Sequence, residues 1–460
     1  MNRVLQAPVM INLEITEACN LTCRHCYNFW RQDDGPKPVK LTEERMSRLI
    51  DMMVEAEVFH VVLSGGEPLA NYQILKFALK RLQEEGISTS VNSNLMPITT
   101  QRIRELKAVG LDHVLTSLNS ANAEVNDYMV NKKGALADII KGIKVTIAEG
   151  VRVSVNMIIS DANRNDIYET ARLCSELGVQ KLFATRLVPS IRDLVFSETD
   201  RKLGQEAAIA ALDEMVRARD DFGIAIGTLI SYPLCLLGDL EKYKDFVGRG
   251  CPAQRGNRMV INATGATHAC THEEASYGDV FEIGIKQAFQ NMSAWHDGSF
   301  LYEECHKCRY VNVCNSGCAS ASQAYYNDKK AKDPLFKGFE AITTDFKLEV
   351  PPEVVEAVEN DEVFTVPDTI RFRQEDGFYS LNVRWANTFS VDQEVGDFLR
   401  AKQKQGAGFR ASEMVGDDPR KTVTNLVYKE AIVPDNGELK ALFAGGVKLG
   451  CSIDPDDLLE

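Results

Sequence analysis

The chain has 460 residues, 44% hydrophobic and 26% charged, which fits a globular protein of roughly two to four domains and excludes wholesale disorder or a fibrous repeat. Its formal charge of 52 − 66 = −14 argues against a basic nucleic-acid-binding surface. No run approaches about 18 uncharged apolar residues, so no membrane span is expected.

From residue 9 to about 187, short β-rich runs alternate with amphipathic helical ones. The predicted strands are Val9–Thr16, His60–Ser64, Ser88–Asn92, His113–Leu118, Arg152–Ile159 and Lys181–Leu187. Helices are expected at Leu41–Val58, Asn71–Glu85, Thr99–Val109, Ala135–Glu149 and Asp166–Leu177, where apolar residues recur every three or four positions. Strand–helix alternation implies a parallel sheet with helices packed outside it, and a partial barrel or a doubly wound sheet fits the periodicity. Residues 196–247 read as mostly helical, with a break near Gly223–Pro233. A Cys- and Gly-rich stretch of short elements runs from about 249 to 336. An acidic, proline-containing connector follows near 350. After it come two strands about the turn Glu375–Gly377, a strand-like NTFSVD, and helices near Asp392–Lys402 and Thr422–Glu430.

The 12 cysteines are the anomaly. The N-terminal residues lack an apolar signal core, so a cytoplasmic location is expected, where clustered cysteines suit metals or catalysis better than disulfides. Cys19, Cys23 and Cys26 follow the first strand directly. Three thiolates on one loop can ligate three irons of a four-iron cluster and leave the fourth open; a zinc site completed by His25 is the alternative. At the end of the second strand, LSGGEP offers Gly65 and Gly66 for close backbone approach and Glu67 as an acceptor for an ammonium group, unless it is an ordinary turn. Asn92, Ser117, Asn156 and Arg186 sit in or near the ends of later strands, where a barrel places its site; capping of strand ends is the plainer role. Cys251, Cys270, Cys305, Cys308, Cys314 and Cys318 exceed one zinc site and suit two clusters. Cys174, inside a helical pattern, reads as a small buried hydrophobe.

The stretch EACNLTCRHCYNF resembles the signature loop of the radical S-adenosylmethionine (SAM) superfamily. The resemblance implies a [4Fe–4S] cluster on Cys19, Cys23 and Cys26 whose open iron binds SAM, giving a 5′-deoxyadenosyl radical that abstracts hydrogen from substrate. It implies a partial barrel of six βα units, with Tyr27 near the adenine. It also puts Gly65, Gly66, Glu67 and Pro68 at the methionine amino group, and Asn92, Ser117, Asn156 and Arg186 among the remaining SAM contacts. The sequence departs from the family at Asn119 and Ser93, where Asp and Gly are common. The later cysteines resemble the SPASM extension, which implies two auxiliary iron–sulfur clusters, one on Cys251, Cys270 and Cys318, the other on Cys305, Cys308 and Cys314. The family's seventh cysteine is absent, with Phe336 near its place. Cys235, Cys451, a non-cysteine ligand or an open iron remain for the fourth positions.

The C-terminal pattern resembles the winged-helix-like element that binds leader peptides in ribosomal-peptide biosynthesis, the alternative being a domain that only covers the barrel. The expected fold is therefore α/β: a partial (β/α)6 TIM-like barrel over 1–230, a SPASM domain over 231–345, and a small α+β domain over 346–460. By resemblance the chain is a radical SAM oxidoreductase that matures a ribosomally made (RiPP) precursor peptide, installing a thioether or carbon–carbon cross-link. Formylglycine-forming oxidation and peptide epimerisation are the alternative reactions, and a non-enzymatic zinc scaffold the alternative class. The implied partners are a leader-bearing peptide and an electron donor such as flavodoxin or ferredoxin, with no nucleic acid and no membrane.

Overall fold

The computed structural model describes residues 4–28, 38–189, 203–347, 350–385 and 387–435. Its central feature is a sheet whose first six strands are β1 (Met10–Glu14), β2 (His60–Ser64), β3 (Ser88–Asn92), β4 (His113–Ser117), β5 (Arg152–Ile159) and β6 (Lys181–Arg186). The helices between them are α1 (Glu43–Glu55), α2 (Tyr72–Glu84), α3 (Thr100–Lys107), α4 (Ala123–Val130), α5 (Ala135–Ala148) and α6 (Ile167–Glu176), and α7 (Gln205–Phe222) follows β6. In α1 the Thr42 side chain caps the Arg45 amide, two glutamates fill the first turn, and Met46, Leu49, Ile50 and Met53 form the buried stripe.

The sheet is larger than six strands. It gains β7 (Ala225–Gly227), β8 (Arg258–Ile261) and β9 (Thr267–His268), in the order β7-β6-β5-β4-β3-β2-β1-β8-β9. Neighbours from β7 to β8 are parallel and only β9 is antiparallel. Register divides the faces. Glu14 pairs with Ser64, Val62 with Ser90, Asn92 with Leu115, and Ser117 with Asn156. Since side chains alternate, Asn12, Glu14, Ser64, Ser90, Asn92, Ser117 and Asn156 share one face, and Ile11, Leu13, Val61, Leu63, Val114 and Val155 share the other. The helices cover the apolar face; the polar face borders a site.

The cysteine-rich region carries α8 (Leu234–Leu237), α9 (Val280–Asn291), α10 (Ser293–His296), α11 (Val311–Cys314) and α12 (Ala319–Tyr326). One continuous core runs from Leu5 to Phe346, with Phe378 added, so this region and the sheet pack as one body. A second core, from Val354 to Ile432, belongs to the C-terminal unit. That unit has α13 (Pro352–Glu359), β10 (Val363–Thr365), β11 (Arg371–Gln374), β12 (Phe378–Arg384), β13 (Asn387–Asp392), α14 (Gln393–Gln405), β14 (Phe409–Arg410), α15 (Pro419–Tyr428) and β15 (Val433–Pro434). The stretch read as a connector thus holds a helix, started by the Pro351–Pro352 pair, and a strand.

The C-terminal unit docks on the N-terminal ends of the parallel strands. The buried Arg373 guanidinium donates to the carbonyls of Ala7 (2.8 Å) and Pro8 (3.0 Å), just before β1, and pairs with Glu375. Glu375 in turn accepts from the Gln6 amide. Arg371 reaches the Gly86 carbonyl before β3, and Trp385 stacks on His113 at the start of β4. This is the end opposite to that where a barrel keeps its chemistry.

Candidate active site at the carboxyl ends of the strands

The loop bearing Cys19, Cys23 and Cys26 leaves β1 and is strapped across the ends of the neighbouring strands. Gly66 N–H donates to the Thr16 carbonyl (2.7 Å) and Glu67 N–H to the Ala18 carbonyl (2.8 Å). Asn94 Nδ2 donates to Asn20 Oδ1 (2.7 Å) beyond β3. Arg24 reaches the Tyr128 carbonyl on α4, and Asn131, the residue that ends α4, donates to Thr22. All three cysteines are half-buried. His25 hydrogen-bonds to the Met129 carbonyl, and burial brings it down to about 4, so it is a neutral packing group there.

The two glycines of LSGGEP have a physical requirement that concerns the loop itself. A Cβ on Gly65 would lie 2.3 Å from the Thr16 oxygen, and one on Gly66 would lie 2.4 Å from the Ala18 oxygen. Gly65 also has φ +138°. The turn therefore fits against the cysteine loop only without side chains. Glu67 is 1% exposed and fully engaged: Oε1 accepts from Ser93 Oγ (2.7 Å) and Leu69 N (3.0 Å), and Oε2 from Asn94 N (2.8 Å). Burial raises its pKa against those three donors. Pro68 opens the short 3-10 turn that Glu67 caps. These hydrogen bonds join the ends of β2 and β3 through this carboxylate.

Inside the loop, Tyr27 hydrogen-bonds Ser64 of β2, and its ionisation is pushed up by burial and by Glu14. Its ring lies 5.2 Å from that of His272, which ties the loop to the cysteine-rich region. Glu14, 3% exposed, is raised to about 8 by burial and by Glu17, so it is largely protonated at neutral pH. In the sequence Glu14 is signalled only as a lone acid in the apolar run INLEI. Asn12 Oδ1 on the polar face and Asn28 Oδ1 beside Gly65 are buried without a hydrogen-bond partner. Such orphaned acceptors suit a polar ligand against the polar face of the sheet.

The remaining expected contacts divide. Asn92, Ser117 and Asn156 lie on the polar face, Asn156 accepting from Thr185. Arg186 has a different environment. It pairs in register with Ile159, on the apolar face, and its two Nη atoms donate to Asp333 at 2.7 and 2.5 Å. Asp333 also accepts from the Cys318 and Leu335 amides. Arg186 thus fastens β6 to the cysteine-rich region through a partner 147 residues away.

Cys251, Cys270 and Cys318 are buried near one another and influence one another's ionisation. Burial raises Cys318 to about 12. At Cys270 burial is outweighed by hydrogen bonds with His272 and Ser320 and by the Arg258 charge, which bring it to about 6. Cys305, Cys308 and Cys314 line a separate cavity. Among the described residues no three His, Cys, Asp or Glu side chains form a group that fits a lone metal ion. Three thiols on a strapped loop, beside unpartnered polar atoms, fit a four-iron cluster with one open iron and a polar cofactor upon it. Cys451 lies outside the described residues. No helix among the described residues is long and apolar enough to cross a membrane.

Comparison with known proteins agrees with this geometry. Residues 13–174 match the model described as the radical SAM superfamily. The chain is 23% identical over 343 residues to an AdoMet-dependent heme synthase of Methanosarcina barkeri, covering 71% of this chain and 96% of that one. It is 26% identical to the mycofactocin maturase MftC of Mycolicibacterium smegmatis, over 69% of this chain and 80% of the relative. In structure it resembles Streptococcus suis SuiB bound to precursor peptide SuiA, with a TM-score of 0.56 at 16% identity, over 72% of this chain and 76% of that one.

Proposed function

With a radical SAM domain established over residues 13–174, we propose that the protein is a peptide-modifying enzyme that abstracts hydrogen from a precursor peptide and installs a thioether or carbon–carbon cross-link. When bound, the [4Fe–4S] cluster and SAM supply reductive cleavage of the sulfonium and the hydrogen-abstracting radical. Cys19, Cys23 and Cys26 would hold that cluster, leaving one iron for SAM. The glycine turn and Glu67 keep their loop in place, and Tyr27, Asn92, Ser117 and Asn156 border the cofactor.

The observation that carries the reading is the contact of Tyr27 with His272, which brings the cysteine-rich region to the mouth of the radical site. Clusters on that region would accept the surplus electron of a cross-linking oxidation. The maturase and the precursor-bound structure named above support a peptide as substrate. We divide the chain into a radical domain (1–230), an auxiliary-cluster domain of SPASM type (231–345) and a C-terminal domain (346–460), and we place the protein in the cytoplasm with a flavodoxin or ferredoxin as donor.

In the C-terminal domain β13 is an edge strand of the order β11-β12-β13, with α14 directly after it. An edge strand next to a helix suits addition of a leader peptide strand. Because that domain docks at the far end of the barrel, a leader held there must run along the outside of the barrel to reach the radical site. The test is anaerobic incubation with the genomically adjacent short peptide, read by fragmentation mass spectrometry. Loss of two hydrogens with a blocked thiol supports a thioether; formylglycine in the product, or unchanged mass with an inverted residue, would replace this reading with one of the alternative reactions.

A further inference from the structure

Cys235 has no part in the assignment above. It lies in α8, is buried, and lines the same cavity as Cys305, Cys308 and Cys314. That cavity holds about 370 Å³ of atom-free space, part of it open to solvent. Phe336, standing near the place where the resemblance expects a seventh cysteine, lines it as well. A ring therefore stands near the place from which a late thiolate would enter, and a thiol enters from α8 instead.

Each of the four sulfurs has a hydrogen-bond donor. Lys337 N–H lies 3.4 Å from Cys235 Sγ, with the Gly338 amide beside it. The Ser316 hydroxyl donates to Cys305, the Tyr310 amide to Cys308, and the Leu234 and Gly317 amides to Cys314. A cysteine packed as a small hydrophobe needs no such donors. An iron-bound thiolate does, because these dipoles offset its charge and tune the cluster. The thiols ring a space and do not form the tight group that a single ion requires, which suits a four-iron core better than zinc.

We propose that Cys235 is the fourth thiolate of a [4Fe–4S] cluster held together with Cys305, Cys308 and Cys314, in place of the ligand that Phe336 does not supply. The proposal rests on the reading that this region carries auxiliary clusters. Four protein thiolates close every iron, so this cluster is an electron carrier with no iron open to substrate. Any open auxiliary iron then belongs to the set Cys251, Cys270 and Cys318.

The test uses the full chain with Cys19, Cys23 and Cys26 all changed to Ala, so that only auxiliary clusters contribute. The protein is reconstituted anaerobically, assayed for iron and sulfide, and examined by electron paramagnetic resonance after reduction. The parent is expected to hold about eight irons in two four-iron clusters. Adding Cys235→Ala is expected to remove up to about four irons and as many sulfides, and to eliminate one of two spectra. Cys174→Ala, in α6, is expected to change neither. Cys235→Ser keeps the volume and puts an oxygen within reach of iron; it is expected to shift that one spectrum, and it serves if the alanine variant fails to fold. Unaltered iron, sulfide and spectra in the Cys235 variants overturn the proposal. A parent without auxiliary iron would instead sink the auxiliary-cluster reading itself, a failure visible before Cys235 is touched.

Discussion

The environment of Arg186 gives a sharp quantitative prediction. Its side chain and that of Asp333 are 3% and 0% exposed, and both Nη atoms are bonded to the carboxylate. Arginine does not deprotonate in proteins, so removal of the partner's charge leaves a buried cation uncompensated. Asp333→Asn removes that charge and, because the Cys318 amide bonds Oδ2 and the Leu335 amide bonds Oδ1, also leaves one of those two N–H groups without its acceptor. The expected loss is about 3–5 kcal/mol, the usual cost of breaking a buried pair from one side. The double variant Arg186→Met/Asp333→Asn buries no charge and should recover most of it. Urea unfolding followed by the fluorescence of the buried Trp295, which belongs to the same core, reads both variants. A loss below about 1 kcal/mol in Asp333→Asn would place it with ordinary surface changes and refute the structural role assigned to Arg186.

Three further outcomes follow from the same geometry. Gly66→Ala should displace the cysteine loop, because its Cβ would stand 2.4 Å from the Ala18 oxygen; the expected result is loss of the radical cluster's iron with the cavity cluster's spectrum retained. Glu14 has a folded-state pKa raised from 4.5 to about 8, so the folded state binds the extra proton and its stability advantage is full below the unfolded value and falls as pH rises through 8. Glu14→Gln should therefore flatten the decline of unfolding free energy between pH 5 and 9, and an unchanged slope would show that Glu14 ionises freely. Trp385→Ala removes the stack on His113 and should loosen the C-terminal unit from the barrel, seen as faster amide exchange at β11 and β12 with the sheet's own protection intact.

The six alternating strands and the helices beside them were legible because each is long enough to show its period, and most boundaries fall within one or two residues of the structure. Strands β7, β8 and β9, of three, four and two residues, are too short to carry a period, so the sheet's full width was hidden. The helix α4, as long as α3, was missed because its buried side includes the polar Asn126 and shows a weaker apolar stripe; its evidence was a cap at either end, Asn122 and the left-handed Asn131. At the site, the cysteine spacing carried the resemblance to the radical SAM superfamily, whose model residues 13–174 match. What the spacing could not display was partnership across the fold. Arg186 drew attention because it ends a strand, and only the approach of Asp333 shows both its Nη atoms bonded to a carboxylate, with Nε buried and without a partner. Gly65 and Gly66 signalled a close backbone approach in the sequence, and the structure shows the cysteine loop's own backbone against both. Cys235, far upstream of the cysteines it joins, was indistinguishable from a spare thiol until the cavity brought them together.

The central claim, that the loop of Cys19, Cys23 and Cys26 drives reductive SAM cleavage, is tested most directly by 5′-deoxyadenosine formation under anaerobic reducing conditions. The reconstituted wild type should form it, and Cys23→Ala should form none while its Trp295 core unfolds at the wild-type urea concentration. Undiminished 5′-deoxyadenosine from Cys23→Ala would contradict the account.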